Sequence, residues 1–210
     1  MKDLIFDFDG TVVDTGRGIM NCVVKVFEHY GLPVPTPAEL RTFVGPPLKD
    51  TFPKYGIPVQ EADAAVAYFR KHYAATGKDE CEPYAGIGDT LASLVKMGFE
   101  LHIGTSKPEH FALLLLERFG LKKHFTHVVG ATTDGTREKK VDVLKCLVQK
   151  IGHTDALMVG DTHYDVDGAR MLGIDTVGVS WGYEAKDDLQ KSGAVYVAST
   201  QAELIEYLKK

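Results

Sequence analysis

The sequence contains few cysteines and no close pair of them. The three cysteines lie far apart in the 210-residue chain, at Cys22, Cys81 and Cys146, and no CxxC motif is present. An odd number of widely spaced cysteines does not indicate the disulfide framework of a small secreted protein. We therefore expect reduced thiols and a cytoplasmic location.

The chain also lacks an excess of positive charge and any long apolar run. Its net charge is -5 and its pI is about 5.9, which argues against a general nucleic-acid binder. No run of about 18 apolar residues predicts a membrane span, and the first residues do not have the pattern of a signal peptide. The 44% hydrophobic content is typical of a globular protein with a core. The length indicates one domain, or one domain with a large insertion.

Short apolar runs alternate with stretches whose apolar residues recur every three or four positions. Most of the runs are too short for helices, and several end in Gly, Asp, Thr or Ser, so we interpret them as buried strands. They lie at 4–8, 99–103, 128–129, 156–159, 177–179 and 195–197. Helical periodicity is found at 109–119 and 141–151. This alternation predicts an α/β fold with a doubly wound parallel sheet, a Rossmann-like core.

Residues 15–82 interrupt the alternation, because they contain no convincing buried strand. The segments 19–30 and 62–73 have helical periodicity, and prolines and glycines cluster between them in "GLPVPTP" and "FVGPPL". We interpret 15–82 as an α-helical cap domain inserted after the first strand. The catalytic core would then consist of 1–14 and 83–210.

Two aspartates follow the first predicted strand, in "LIFDFDGTVVDT". Asp7 and Asp9 are two positions apart, so they share one face of an extended chain. They lie at the carboxyl end of the strand, where open parallel sheets bind their ligands. Two such carboxylates repel each other unless a divalent cation or a shared proton relieves them, and Mg2+ prefers oxygen ligands of this kind. The structural alternative is a solvated turn at Gly10.

A second acidic pair lies in "VGDTHYD", directly after the predicted strand at 156–159. Asp161 alone is compatible with a helix N-cap, but Asp165, four residues later, is harder to explain by capping. Two acidic strand ends at one edge of a sheet form a better metal site than either does singly. The predicted metal-binding residues are Asp7, Asp9, Asp161 and Asp165.

Candidate phosphate-binding groups follow the predicted strand at 99–103, in "GTSKPE". Thr105 and Ser106 offer hydroxyl and N–H groups at a predicted helix start, and helix N-termini bind phosphate. Ser106 and Glu109 also match the capping box S-x-x-E. Capping by Ser106 leaves Thr105 available as a phosphate ligand.

Basic residues begin another predicted helix, in "DGTREKKVDVL". Arg137, Lys139 and Lys140 are compatible with an ordinary exposed helix start. Cations at this end of a helix oppose its dipole, however, and a lysine that faces a phosphate would offset that penalty.

Together these segments resemble the motifs of the haloacid dehalogenase superfamily of phosphatases. The matching segments, in order, are "DFDGT", "GTSKP", a lysine in "REKKVD", and "GDTHYD". The resemblance covers nearly the whole chain, and "GPPL" in the cap and "GTR" before the third motif are similar to the phosphoglycolate phosphatase group. It implies a Mg2+-dependent hydrolase of a small-molecule phosphate ester, a monomer or dimer with no nucleic-acid or membrane partner.

The resemblance also implies a role for each catalytic residue. Asp7 would be the nucleophile and form an aspartyl-phosphate. Asp9 would be the general acid and base, and its backbone carbonyl would ligate Mg2+. Thr105 would bind a phosphoryl oxygen. Lys140 would neutralise Asp7 and the phosphoryl group; we prefer it to Lys139 because it directly precedes the helix-like "VDVL".

The remaining predicted site residues bind the metal or the substrate. Asp161 would ligate Mg2+ directly, and Asp165 would act through water or orient Lys140. The "VGPPL" segment is our candidate for the part of the cap that enters the active-site cleft. The predicted substrate-binding residues are Ser106, Gly45, Pro46 and Arg137.

Several phosphoryl-transfer activities remain open at this point. Asp9 argues against a dehalogenase or a phosphonatase, because the related enzymes with those activities differ at this position, whereas sugar phosphomutases keep both aspartates. Phosphoglycolate is the substrate that the resemblance indicates, and a 5'-nucleotidase is the closest alternative. A glycolate carboxylate would need a cation from the cap, for which the candidates are Arg17, Arg41 and Lys49. A nucleobase would need an apolar or aromatic wall, for which the candidates are Phe43, Tyr68 and Tyr73.

Overall fold

The computed structural model describes residues 2–210, which form two compact units. One unit, the core, consists of the residues up to Val13 together with Pro83–Lys210. The other, the insert, is Asp14–Glu82. This division differs from the predicted one only at residue 14, and the role of the insert as a cap over the site stays a prediction.

The strands belong almost entirely to the core. They are β1 (Asp3–Phe6), β2 (Val13–Asp14), β3 (Glu82–Pro83), β4 (Glu100–Pro108), β5 (Phe125–Ala131), β6 (Ala156–Gly160), β7 (Asp175–Val179) and β8 (Tyr196–Ala198). Six of them form a sheet in the order β5-β4-β1-β6-β7-β8, and its neighbouring strands are parallel. The remaining two, β2 and β3, pair with each other where the chain passes between core and insert.

Helices separate the strands of the core and make up most of the insert. Those of the insert are α1 (Gly16–His29), α2 (Pro37–Arg41), α3 (Leu48–Thr51) and α4 (Ala62–Ala75). Those of the core are α5 (Ile87–Lys96), α6 (Glu109–Arg118), α7 (Lys140–Ile151), α8 (His163–Arg170), α9 (Lys186–Ser192) and α10 (Gln201–Leu208). Short 3-10 helices lie at Phe52–Tyr55, Val59–Glu61, Gly77–Asp79 and Lys122–His124. Across residues 2–210, no helix has the length and apolar character that crossing a membrane requires.

The central strand β1 explains the sheet architecture. All four of its residues are buried, and it pairs with β4 on one side and β6 on the other, with Asp3 opposite Glu100 and Ala156. A strand covered on both faces needs an apolar run rather than an alternating one, which is what its sequence has. The predicted α/β fold with a doubly wound parallel sheet is therefore confirmed.

Strand β4 is longer than predicted, and this corrects the interpretation of "GTSKP". The strand continues through Thr105 and Ser106 to Pro108, where it still pairs with β5 after a register shift. Helix α6 begins at Glu109 and has no side-chain cap, so the predicted capping box of Ser106 and Glu109 is not formed. The hydroxyls of Thr105 and Ser106 therefore lie on a strand, not at a helix start.

The insert has a core of its own, built from aromatic side chains. The ring centroid of Phe27, on α1, lies 5.9 Å from that of Phe43 and 6.2 Å from that of Phe52. Within the insert only its first and last residues, Asp14 and Glu82, lie in strands. Helices α1 and α4 confirm the predicted helical segments at 19–30 and 62–73.

Candidate active site

The carboxyl ends of two adjacent strands bring the predicted acidic residues together. Asp7 follows the last residue of β1, and its backbone N–H donates to the carbonyl of Val159 on β6, at 2.9 Å. Asp161 follows the last residue of β6. Because β1 and β6 are parallel neighbours, these two aspartates emerge at the same edge of the sheet.

Three aspartates form a buried cluster at this edge, which we call the acidic triad: Asp7, Asp161 and Asp165. One carboxylate oxygen from each lies within 4.8 Å of the others. Asp161 and Asp165 are fully buried, and Asp7 is 4% exposed. This proximity agrees with the spacing argument from the two acidic pairs, although Asp9 is not a member of the triad.

Glycines make room for the triad. Gly10 has φ +81°, and a Cβ there would lie 2.1 Å from Asp161 Oδ2. A Cβ on Gly182 would lie 2.4 Å from the same oxygen. Real Cβ atoms do not approach so closely, so "DFDGT" needs a glycine in its fourth position for packing as well as for a left-handed turn.

Lys140 compensates part of the charge of the triad. Its Nζ lies 2.7 Å from Asp7 Oδ1 and 2.7 Å from Asp165 Oδ1, and donates to the carbonyl of Gly104 at 3.0 Å. Burial alone would lower the pKa of Lys140, but the charges of Asp165 and Asp7 raise it above its ordinary value. Lys140 is the buried first residue of α7, whereas Lys139 is the exposed residue before it, so the geometry favours Lys140.

Neutral donors also contact the carboxylates of Asp161 and Asp165. The Asp161 oxygens accept hydrogen bonds from the hydroxyl of Thr11 at 3.0 Å and from the backbone N–H of Tyr183 at 2.9 Å. Asp165 Oδ2 accepts from the backbone N–H and the hydroxyl of Thr162, both at 3.0 Å. These contacts orient each carboxylate without neutralising it.

Burial and mutual repulsion make the ionised forms of the triad costly. Burial, and then the charges of Asp165 and Asp7, raise the pKa of Asp161 well above its ordinary value. Burial raises the pKa of Asp165 to about 6, with Asp7 adding to the effect and Lys140 opposing it. With all three carboxylates ionised, the triad would carry more negative charge than the single ammonium group of Lys140 neutralises.

This donor set fits a hard divalent cation. The donors are carboxylate oxygens, they are buried, and their charge is undercompensated, which are the conditions that Mg2+ binding would relieve. Asp7 and Asp161 are the residues that would ligate the ion. Asp165 already binds Lys140 and Thr162, so it suits an indirect role.

Asp9 has a different partner. It is 8% exposed, and its Oδ1 lies 3.0 Å from Nζ of Lys107, a residue that is itself 5% exposed. The ammonium group of Lys107 also lies 5.6 Å from the ring centroid of Phe8. The two aspartates of "DFDGT" are thus matched to two separate lysines.

The sequence also matches a known protein family. Residues 4–179 match the family described as haloacid dehalogenase-like hydrolases. The chain belongs to this family. The predicted haloacid dehalogenase-type phosphatase is confirmed as the class of enzyme, and the phosphoglycolate phosphatase-like resemblance is confirmed with it.

Individual relatives carry several names. The chain is 40% identical to the tyrosine-protein kinase PtkA of Mycobacterium tuberculosis, over 99% of this chain and 71% of that protein. It is 32% identical to a 5'-nucleotidase of Pseudomonas aeruginosa, over 99% of this chain and 95% of that one. A phosphoglycolate phosphatase of Chromobacterium violaceum is 30% identical, over 100% of this chain and 97% of that one.

A solved structure matches the whole fold. It is described as a predicted phosphatase from Clostridium acetobutylicum and superposes with a TM-score of 0.95 at 34% identity. The superposition covers 99% of this chain and 98% of that chain. The likeness therefore extends to the insert as well as to the core.

The remaining predicted residues of this haloacid dehalogenase-like hydrolase take varied positions. Thr105 is 1% exposed and follows Gly104, whose carbonyl binds Lys140, so it lies beside the triad along β4. Ser106, the next residue, is half-buried. Gly45, with φ +105°, and Pro46 lie in the insert between α2 and α3, and their role with the substrate stays a prediction.

Arg137 is occupied by contacts within the core. Its Nε donates to the carbonyl of Gly130 at 2.8 Å, its Nη1 to Cys146 Sγ at 3.1 Å, and its Nη2 to Glu109 at 2.8 Å. Every guanidinium nitrogen therefore already has a protein partner. These contacts connect the loop after β5 to α6 and α7. They do not support substrate binding by Arg137, which stays a prediction.

Lys107 is the residue that the sequence reasoning missed. A lysine in the polar segment "GTSKP" has no apolar pattern around it that indicates burial. The available signal was the register of the strand: Lys107 is two residues after Thr105 and its backbone N–H donates to the Thr105 hydroxyl at 3.2 Å. Extending β4 through this segment would have placed both side chains on one face.

Proposed function

We propose that the chain is a Mg2+-dependent phosphomonoester hydrolase that acts on a small-molecule phosphate ester through an aspartyl-phosphate intermediate on Asp7. The observation that carries the proposal is the separation of the two aspartates of "DFDGT". Asp7 belongs to the acidic triad and contacts Lys140, whereas Asp9 lies outside the triad and contacts Lys107. Two carboxylates in different environments suit two different roles in catalysis.

The chemistry follows from these environments. A carboxylate oxygen of Asp7 attacks phosphorus while the ester P–O bond breaks, and Asp9 gives a proton to the departing alcohol. Asp9 then removes a proton from the water that attacks the aspartyl-phosphate, which releases inorganic phosphate and restores Asp7. Lys140 and the Thr105 hydroxyl offset charge on the phosphoryl oxygens.

Asp7, Asp161 and the backbone carbonyl of Asp9 are the groups that would hold Mg2+. When bound, the ion supplies positive charge to the phosphoryl oxygens and relieves the repulsion within the acidic triad. Asp165 would keep Lys140 in place through the 2.7 Å ion pair with its Oδ1. Its Oδ2 accepts a hydrogen bond from the hydroxyl of Thr162, which orients the carboxylate.

The substrate that we favour is phosphoglycolate, with a nucleoside 5'-monophosphate as the alternative. Both are supported by the names of full-length relatives at similar identity. The insert gives little support to the nucleoside alternative, because two residues of the predicted aromatic wall, Phe43 and Tyr73, are buried in the insert's own core. Of the predicted aromatic wall, only Tyr68 is half-buried, and its ring stacks on His29 at 4.1 Å. Of the predicted cations, Lys49 already pairs with Asp63 at 2.7 Å.

A panel of phosphate esters tests the proposal. The chain, stripped of metal with EDTA and then supplied with Mg2+, is assayed for phosphate release from phosphoglycolate, nucleoside 5'-monophosphates, a hexose phosphate and an aryl phosphate. We expect turnover only with Mg2+, and none in Asp7→Asn. Full activity without metal, or an active Asp7→Asn variant, would contradict the proposal.

Two further arms separate the alternatives. Isomerisation of a hexose phosphate without phosphate release would indicate a phosphomutase. Transfer from ATP to a tyrosine peptide would indicate the activity after which PtkA is named. Trapping of 32P on wild-type protein but not on Asp7→Asn, after acid quench, would support the aspartyl-phosphate directly.

A further inference from the structure

The loop between β7 and α9 contacts the acidic triad, although it lies outside the four segments that match the family's motifs. The part that does so is "WGYE", residues 181–184, which we call the 181–184 loop. Its backbone passes so close to the triad that a Cβ on Gly182 would lie 2.4 Å from Cβ of Asp161 and 2.5 Å from the carbonyl oxygen of Gly10. The loop is therefore packed directly against an aspartate that would ligate Mg2+.

Both carboxylate oxygens of Asp161 depend on this loop, one directly and one through Thr11. Oδ2 accepts a hydrogen bond from the backbone N–H of Tyr183 at 2.9 Å. Oδ1 accepts from the hydroxyl of Thr11 at 3.0 Å, and the carbonyl of Thr11 accepts in turn from the indole N–H of Trp181 at 3.1 Å. Thr11 and Asp161 are both fully buried, so bulk water has no access to either side chain. The orientation of the Asp161 carboxylate therefore follows the position of the loop.

Glu184 connects the other end of the loop to the start of α8. Its Oε2 accepts from the backbone N–H of His163 at 2.8 Å, and its Oε1 contacts Nδ1 of the same residue. His163 is the first residue of α8, two positions after Asp161 and two before Asp165. Glu184 thus fixes the loop relative to the segment of chain that carries both of these aspartates.

We propose that Trp181 and Glu184 are positioning residues that set the affinity of the acidic triad for Mg2+. Trp181 would act on Asp161 through Thr11, and Glu184 would act by holding the loop whose Tyr183 N–H binds Asp161. Mg2+ demands near-ideal coordination geometry, so a ligand that is poorly oriented weakens its binding. Both roles rest on the Mg2+ site of the proposed function, and they extend it to residues that provide no ligand themselves.

Calorimetric titration of the metal-free, full-length chain with Mg2+ measures this affinity without reference to catalysis. Trp181→Phe removes the indole N–H and keeps an aromatic ring, whereas Glu184→Ala removes both acceptors that contact His163. Loss of a partner that orients a metal ligand typically weakens metal binding by about 10–100-fold, and we expect each variant to fall in this range. A melting temperature that rises with Mg2+ concentration provides a second measure of the same affinity.

Two control variants separate positioning from charge and from general destabilisation. Glu184→Gln removes the charge but keeps an oxygen that can accept from the N–H of His163, so it should bind Mg2+ more tightly than Glu184→Ala. Leu204→Ala removes a fully buried apolar side chain on α10, which contributes no residue to the site. It should lower the melting temperature and leave the affinity for Mg2+ unchanged.

The outcomes are distinct. Wild-type affinity for Mg2+ in both Trp181→Phe and Glu184→Ala would overturn this proposal alone, because the Mg2+ site itself would be intact. An equal loss of affinity in Leu204→Ala would also overturn it, since general destabilisation would then explain the effect. Equal losses in Glu184→Gln and Glu184→Ala would overturn the positioning role of Glu184 in favour of its charge. A wild-type chain that binds no Mg2+ would overturn this proposal together with the proposed function.

Discussion

Replacing Asp161 by Asn should stabilise the metal-free protein while abolishing its function. Asp161 is fully buried beside Asp7 and Asp165, and Lys140 is the cation that contacts this cluster. Asn has nearly the same shape, so it can accept from the N–H of Tyr183 and donate to the hydroxyl of Thr11. The substitution thus removes a charge and preserves the packing.

The expected gain follows from the distances. Two unit charges 4.8 Å apart, at an effective dielectric constant of about 20, repel each other by about 3 kcal/mol. Asp161 is repelled by two carboxylates, and the attraction of Lys140 offsets about one of these repulsions. Replacing a charged hydrogen bond by a neutral one costs about 1 kcal/mol, so the free energy of unfolding should rise by about 2 kcal/mol. For a chain of 210 residues this corresponds to a melting temperature higher by about 4–8 °C.

Thermal unfolding in EDTA measures this difference. Asp175→Asn is a matched control, because Asp175 is exposed at the start of β7 and should change the free energy of unfolding by less than about 0.5 kcal/mol. Mg2+ should then raise the melting temperature of the wild-type protein and of Asp175→Asn. It should raise that of Asp161→Asn much less, because a ligand has been lost.

The increase in the free energy of unfolding of Asp161→Asn should also depend on pH. Burial raises the folded-state pKa of Asp165 from an ordinary value of 3.8 to about 6, and that of Asp161 is raised as well. The folded protein therefore binds protons more readily than the unfolded chain, and the penalty of the triad is relieved as pH falls through the folded pKa. The advantage of Asp161→Asn should be largest near pH 8 and shrink below about pH 6. A melting temperature for Asp161→Asn in EDTA at pH 8 that is equal to or lower than the wild-type value would refute this reasoning.

Three further predictions concern Asp9, Lys107 and the insert. Asp9→Asn should slow hydrolysis of an alkyl phosphate by about 10²–10⁴-fold. It should slow hydrolysis of an activated aryl phosphate by less, because the aryl leaving group needs less protonation. Equal losses for the two esters in steady-state assays would argue against an acid role for Asp9. Lys107→Met should lower the free energy of unfolding by about 3–5 kcal/mol, since it removes the ammonium group that pairs with the buried carboxylate of Asp9. In urea titrations the double variant with Asp9→Asn should recover part of that loss, and strict additivity would mean that the 3.0 Å pair is not coupled. Pro46→Ala should raise KM for the preferred ester with little effect on an aryl phosphate, whereas a uniform loss on every ester would show that this segment does not select substrates.

The fold and the acidic cluster were predictable because they depend on local patterns. An apolar run that ends in Asp identifies both a buried strand and its carboxyl end, and parallel strands share that edge. Asp7, Asp161 and Asp165 therefore meet as the motif spacing indicates. The choice between Lys139 and Lys140 also had a local basis, since only the second is the first residue of the helix.

The errors arose where pairing across the sheet overrides local sequence. Gly104 to Pro108 contains residues that favour loops and helix starts, yet β4 continues there because β5 offers a partner after a register shift. The buried Lys107 pairs with Asp9, which is 98 positions away along the chain. Nε2 of His102 likewise lies 2.8 Å from Oδ1 of Asp3, and 99 positions separate these two buried residues, so no window of the sequence could reveal their contact.

The pairing of β2 with β3 has a consequence for synthesis and folding. Strand β1 is the first part of the sheet to be made, yet its neighbours β4 and β6 follow only after the insert is complete. Until then its apolar residues have no partner strand. Because the first and last residues of the insert lie in paired strands, folding of the insert would take it out of the loop that separates β1 from β4 and would leave only the flanking segments 7–12 and 84–99 in that loop. The insert would thereby reduce the loop-closure entropy that opposes assembly of the central strands.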